Sequence, residues 1–281
     1  MNFEEKIGFM QGRLSPMQNG TIQCFPWSNW EKEFEISSQN GFNIMEWTID
    51  RKEIYKNPLM NVQGRQKILH LCRNYGINVN SITLDACMQA PFWKCDSKLI
   101  QHRELEVFED ICKASAEIGI KILVLPVVDN GAFDNNDQKD ILVNELISRL
   151  KFLKTLGIKI AFELDLEPTE VKGFINQFPN DTFGINYDSG NSAANGFNII
   201  TEFEQYSENI INVHIKDRKY QGNTIRLGCG DVVFKDLFKE LIRIKFQGNL
   251  ILQTARSPDN FDLQELLTNK KYLQNYGQNL L

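Results

Sequence analysis

No stretch of this 281-residue chain approaches the run of about 18 apolar residues that would cross a bilayer. There is no basic block either. Lys and Arg number 31 against 36 Asp and Glu, a net charge of −5, which argues against a nucleic-acid backbone as the main partner. The opening Met1–Lys6 is polar and runs straight into IGFM, too short for the apolar region of a secretory signal. The cysteines (Cys24, Cys72, Cys87, Cys95, Cys112 and Cys229) form no CxxC pair and no framework spacing. Reduced thiols and a cytoplasmic location are therefore expected. No GxGxxG follows the first strand-like segment, and no phosphate-cradling P-loop pattern occurs. Histidine is scarce, with three in all.

What the chain does have is strict alternation. Strand-like segments at Lys6–Arg13, Phe42–Ile49, Ile77–Leu84, Lys121–Val128, Lys159–Asp165, Thr182–Asp188, Ile211–Asp217 and Leu250–Ala255 are each followed by a helix-capable stretch. The clearest helices are Val62–Asn74, stopped by Gly76, Leu99–Ile118, closed by Gly119, and Gln138–Leu156, ended by Gly157. Asp85–Lys94 reads as a loop. Eight βα units predict a parallel sheet with right-handed crossovers, and in a chain of this length a closed (β/α)8 TIM barrel, typically about 250 residues. An open doubly wound sheet is the alternative. No linker-like shift in composition interrupts the chain, so residues 1–281 read as a single α/β domain.

In such a barrel the chemistry gathers where the strands end. The segment NVHIKDR, Asn212–Arg218, places an imidazole, an ammonium and a carboxylate at one strand tip, a costly arrangement unless they are paired or bound. Four consecutive strands end near Glu163, Asp188, His214 and Gln253. Two carboxylates, an imidazole and an amide oxygen suit one divalent ion, Mn2+ first, with Mg2+, Co2+ or Zn2+ as alternatives. Recognition of a phosphate or carboxylate would fall to Arg13, Lys216, Arg218 or Arg256. Phe25, Trp27, Trp47, Phe92 and Trp93 lie near strand ends, where they could wall a sugar ring or simply cap the barrel mouth.

The motifs IGFMQGRL, Phe162-Glu163, NYDSGN (Asn186–Asn191), VHIKDR (Val213–Arg218) and LILQTAR (Leu250–Arg256), in that order, resemble the xylose isomerase-like TIM barrels, the sugar (phosphate) isomerases and epimerases. The resemblance spans essentially the whole chain. It implies one metal held by Glu, Asp, His and Glu from strands five to eight, hence Glu163, Asp188 and His214, with Gln253 departing from the pattern. In such epimerases the first and last carboxylates also move the proton, and a glutamine cannot. One-base chemistry through Glu163 remains, with Glu46 on strand two or Lys216 as further catalytic candidates.

The resemblance implies a metal-dependent isomerase or epimerase acting on a small carbohydrate through an enediolate. A dehydratase of a keto-sugar or inosose on the same site, or a sugar-binding barrel with a decayed site, are the alternatives. The multi-histidine site of the endonuclease branch is not expected, since His70 and His102 fall in helices. No nucleic-acid or membrane partner is expected, and a homodimer is compatible with the fold.

Overall fold

Eight parallel strands close on themselves in a computed structural model that describes residues 3–18, 20–257 and 262–279. In chain order they are β1 (Ile7–Met10), β2 (Ile44–Thr48), β3 (Asn78–Thr83), β4 (Ile122–Val127), β5 (Lys159–Leu164), β6 (Phe183–Asp188), β7 (Ile210–Ile215) and β8 (Leu250–Leu252). Each pairs with its sequence neighbours, and β1 pairs with β8 through Ile7–Leu250, Gly8–Ile251 and Phe9–Leu252. The single-domain (β/α)8 barrel expected from the alternation is the observed fold, and the open sheet is excluded by this closure.

The strands are buried on both faces, and the period-two alternation splits their side chains between two environments. Outward residues such as Phe9, Trp47, Phe162, Tyr187 and Val213 join the large apolar layer beneath the helices. Inward, only a small apolar plug of Met10, Ile44 and Ile251 forms a separate cluster. Gly8 leaves it room, since a Cβ there would lie 2.6 Å from Ile44 Cγ2. Val124 and Ala161 add apolar surface from β4 and β5, and the rest of the interior includes the polar Glu46, Ser81, Asn186, Asn212 and His214, almost wholly buried.

The helices follow their local signals. Val62–Tyr75 starts with the Asn61 side chain accepting from Gly64 N and stops at Gly76, whose φ of 67° is the left-handed conformation glycine tolerates. Two expectations need correction. The Gln138–Leu156 helix is two helices, Asn136–Ser148 and Leu150–Leu156. Ser148 Oγ and Arg149 Nη1 both donate to the Glu145 carbonyl, an alternative to the backbone ladder at the break. The Asp85–Lys94 loop contains a helical turn, Asp85–Gln89, packed beside β4. Among the described residues no helix is long and apolar enough to cross a membrane, and all six cysteines are unpaired.

Phe162 is fully buried and rests on Phe174, Phe178 and Phe183 at ring-centroid distances of 5.0, 4.9 and 6.0 Å. Phe162→Ala should therefore destabilise the barrel by about 3–5 kcal/mol. A urea unfolding midpoint within error of the parent would contradict this placement of the apolar layer.

Candidate active site

The alternation that sends Tyr187 and Val213 outward sends Asn186, Asp188, Asn212 and His214 into the barrel. His214 is completely buried, and its Nε2 lies 2.6 Å from Glu46 Oε1. Glu46 accepts also from Thr83 Oγ1 at 2.6 Å and from Asn212 Nδ2 at 3.0 Å. Burial opposes the ionised form of Glu46, but the adjacent imidazole outweighs it and holds the carboxyl below its usual pKa. Burial likewise opposes charge on His214, yet Glu46 and Glu163 together lift the ring to about 10.

Because an ionised Glu46 only accepts, Nε2 is the donor in that bond and Nδ1 is turned the other way. Nδ1 is buried without a hydrogen-bond partner and lies 3.1 Å from Glu163 Oε2. One donor atom each from Glu163, Asp188 and His214 fall within 4.8 Å of one another. A ring nitrogen facing two carboxylates, held off by a proton alone, is a donor set that fits a divalent cation, whose charge would take the place of the Nδ1 proton.

Local structure explains why each carboxylate points there. Asp188 ends β6 and caps the helix Ser189–Asn195, its Oδ1 accepting from Gly190 N and Asn191 N at 2.9 Å each. That leaves Oδ2 for Lys216, whose Nζ approaches to 2.7 Å. Gly190 lets the lysine pass, since a Cβ would meet Lys216 Cγ at 2.7 Å. Glu163 is held on both oxygens, by Asn186 Nδ2 and Asn191 Nδ2, each at 2.9 Å.

A cavity of about 380 Å³ opens above this cluster, and Arg13, Glu163, Lys216, Arg218 and Gln253 line it. Other expected residues are placed elsewhere. Glu46 is not at the rim: it sits fully buried under His214 with its oxygens committed, so it serves as the ring's orienting partner. Gln253 Oε1 accepts from Lys216 Nζ at 3.1 Å and its Nε2 donates to Gln23 Oε1 at 2.8 Å, so its oxygen is engaged outside the Glu–Asp–His cluster.

Trp47 points out of the barrel, donating to Asn57 Oδ1 and packing on Phe25 and Trp30. Phe25, Phe92 and Trp93 are likewise buried in the outer layer, and Trp27 packs edge-on against Phe25. Arg256 donates to the carbonyls of Ser15 and Ile22 and lies 3.5 Å from Asp262. It ties loops together and is not part of the cavity wall.

The wall also carries Asp85 and Gln23, which the sequence reading passed over, and Asp165, which it placed with Glu163 at the end of strand five without giving it a role. Asp85 follows β3 just as Asp188 ends β6, so the same signal, an acid at a strand end, could have found it. Burial pushes Asp85 up to about 7 even though Gln23 Nε2 donates to it at 2.8 Å. Asp165 is also raised to about 7, by burial first and then by Glu163 and Asp188. Gln23 sits in a loop with no pattern to mark it.

A profile of the xylose isomerase-like TIM barrel matches residues 34–274. The L-ribulose-5-phosphate 3-epimerase UlaE of Salmonella paratyphi A is 22% identical over 241 residues, covering 82% of this chain and 84% of that protein. Among solved structures, the xylose isomerase domain protein from Planctomyces limnophilus superposes with a TM-score of 0.74 at 14% identity, over 96% of each chain. The IOLI protein with a bound zinc atom superposes with a TM-score of 0.73 at 17% identity, over 96% of this chain and 97% of that one.

The loop that brings Arg13 to the cavity hangs on Glu33, whose carboxyl accepts from Gly12 N, Leu14 N and Ser15 Oγ. Burial outweighs these bonds and raises Glu33 to about 7 from 4.5. The folded state then holds this proton more tightly than the unfolded chain. Its contribution to stability is present below pH 4.5 and lost as pH rises through about 7. The loss should be on the order of 3 kcal/mol, and Glu33→Gln should flatten that part of the curve. Stability measured by denaturant titration from pH 4.5 to 7.5 checks this; equal slopes for parent and variant would contradict it.

Proposed function

Because the chain belongs to the xylose isomerase-like TIM barrel family, we propose that it is a divalent-metal-dependent isomerase or epimerase acting on a sugar through an enediolate. The observation that carries this reading is the convergence of donor atoms of Glu163, Asp188 and His214 within 4.8 Å, with Glu163 on the cavity wall and His214 Nδ1 3.1 Å from it. Glu163, Asp188 and His214 would hold the ion, with Mn2+ the best match to two carboxylates and one imidazole. The IOLI structure, similar in fold, contains zinc. Bound there, the ion supplies a Lewis acid that lowers the cost of negative charge on a neighbouring oxygen.

The chain's own residues do the rest. Glu163 lies at the cavity wall with its orientation fixed by two asparagine amides, so its carboxylate can take a proton from carbon without first reorganising. Gln253 has no proton to exchange. In an isomerisation Glu163 therefore removes the proton and returns it to the adjacent carbon on the same substrate face, while the hydroxyl proton passes between the two substrate oxygens. This one-base route does not serve an epimerisation, which needs a second acid on the opposite face. Lys216 brings an ammonium into the cavity wall between Asp188 and Gln253, where it can stabilise charge that develops on a substrate oxygen. Glu46 acts only through His214, by fixing which ring nitrogen faces the ion.

Turnover of a ketose should vanish after chelation and return with Mn2+; full-rate turnover in excess chelator would contradict the reading. A product lighter by one water would assign the dehydratase reaction instead. Calorimetry separates the two residues on the imidazole axis. His214→Ala should abolish tight Mn2+ binding, and Glu46→Gln should weaken it by about 10- to 100-fold. Parent-like Mn2+ affinity in both variants would remove His214 from the ligand set.

A further inference from the structure

Inverting a carbon beside a carbonyl takes two proton-carrying groups, one on each face of the enediolate. Glu163 supplies one, and Gln253 has no proton to give. Among the described residues of the cavity wall, few can be the other. Arg13 and Arg218 are guanidiniums and keep their protons. Lys216 is paired with Asp188 Oδ2 at 2.7 Å, an attraction it would lose on giving up its charge. Asp165 leaves the same strand end as Glu163, two residues further on, and so shares its side. Asp129 follows β4, the neighbour of β5, and is exposed to solvent.

Asp85 is left. It follows β3, across the barrel from β7, and stands on the half of the rim away from the Glu163, Asp188 and His214 tips. It lines the cavity and is only 5% exposed. Gln253 Nε2 donates to Gln23 Oε1 at 2.8 Å, and Gln23 Nε2 donates to Asp85 Oδ2 at 2.8 Å. Through the loop after β1, the amide at the tip of β8 is thereby tied to a carboxyl that can carry the proton it cannot. Among the described residues Gln23 makes the only bond to this carboxyl, so Oδ1 is free to exchange a proton. Burial raises the group to about 7, opposed by the Gln23 bond and His214 and helped by Asp50 and Glu163. Acid and carboxylate are then both at hand near neutral pH.

We propose that Asp85 is a catalytic residue of this site, the acid that protonates the enediolate on the face turned away from Glu163. The proposal rests on the reading of the cavity as a sugar isomerase or epimerase site, and it opens epimerisation to a chain with Gln253. The Glu163 carboxylate takes the proton from carbon, and the C–H electron pair passes into the enediolate. The Asp85 carboxylic acid then gives its proton to the same carbon from the other side. One C–H bond breaks and one forms, Glu163 ends protonated and Asp85 ionised, and exchange with water resets both. Gln23 is a positioning residue that acts through the Asp85 carboxyl.

The test follows D-allulose and L-ribulose 5-phosphate, one free and one phosphorylated ketose, on the Mn2+-loaded full chain in D2O by NMR. The parent should exchange the C3 proton of at least one of them for deuterium and form its C3 epimer. Asp85→Asn, which keeps an oxygen for the Gln23 bond, should slow inversion about 100-fold or more. Exchange at C3 with retained configuration needs Glu163 alone and should persist in that variant. Gln23→Leu leaves Asp85 in place but unheld, and should slow inversion about ten-fold with exchange again unchanged. Equal loss of exchange and inversion in both variants, or undiminished inversion in Asp85→Asn, overturns the role. So does weakened Mn2+ binding in Asp85→Asn by calorimetry, which would place Asp85 with the ion. A parent that exchanges or isomerises without inverting C3 overturns the inference and leaves the isomerase reading standing. Neither exchange nor conversion of either sugar removes both.

Discussion

Everything at the mouth of this barrel depends on a buried contact beneath it, His214 Nε2 against Glu46 Oε1 at 2.6 Å. An imidazole and a carboxylate, both without solvent, are tolerable in a barrel interior only as a bonded pair. Thr83 and Asn212 saturate the carboxylate, so the pair has one stable orientation. That orientation leaves the other ring nitrogen exposed to Glu163 and Asp188, and the three donors become a single site. A structure with the ring flipped would set ring carbons against Glu46 and Glu163 and lose both contacts.

The polar layer that carries this pair has a structural cost, which the fold offsets outside the barrel. Inside, the apolar contribution shrinks to the Met10, Ile44 and Ile251 cluster with Val124 and Ala161. The continuous layer between strands and helices, with stacked and edge-on aromatic groups such as Phe162, Phe174, Phe178 and Phe183, supplies the hydrophobic burial instead. The interior is thereby freed to hold amides and carboxylates for chemistry. Asn186 and Asn191 show how far this goes, each spending its side-chain amide on Glu163. Outward aromatics, Trp47 among them, belong to the stabilising layer and not to the site.

Charge is arranged with similar economy. Arg13 and Arg218 serve as cross-links between loops through carbonyl and amide oxygens, and Lys216 bridges the Asp188 and Gln253 tips. The amide at position 253 extends this chain of contacts through Gln23 to Asp85. A wall built in this way presents acceptors to whatever enters the cavity.

The barrel was legible in the amino-acid order, because period-two runs alternating with helical stretches admit few topologies, and strand ends carry their acids and histidine in plain view. Glu163, Asp188 and His214 could be found that way, each being the last inward residue of its strand. What the order of residues could not fix was depth and partner. Glu46 looks like a rim residue in sequence, but the stagger of a tilted barrel sets it beneath His214. Trp47, its neighbour, is turned outward by the same alternation. Whether Gln253 serves an ion or a lysine, and whether Arg256 faces the cavity or a carbonyl, depends on loops that meet only after closure. Local sequence sets a side chain's face; only the closed barrel sets which group stands opposite it.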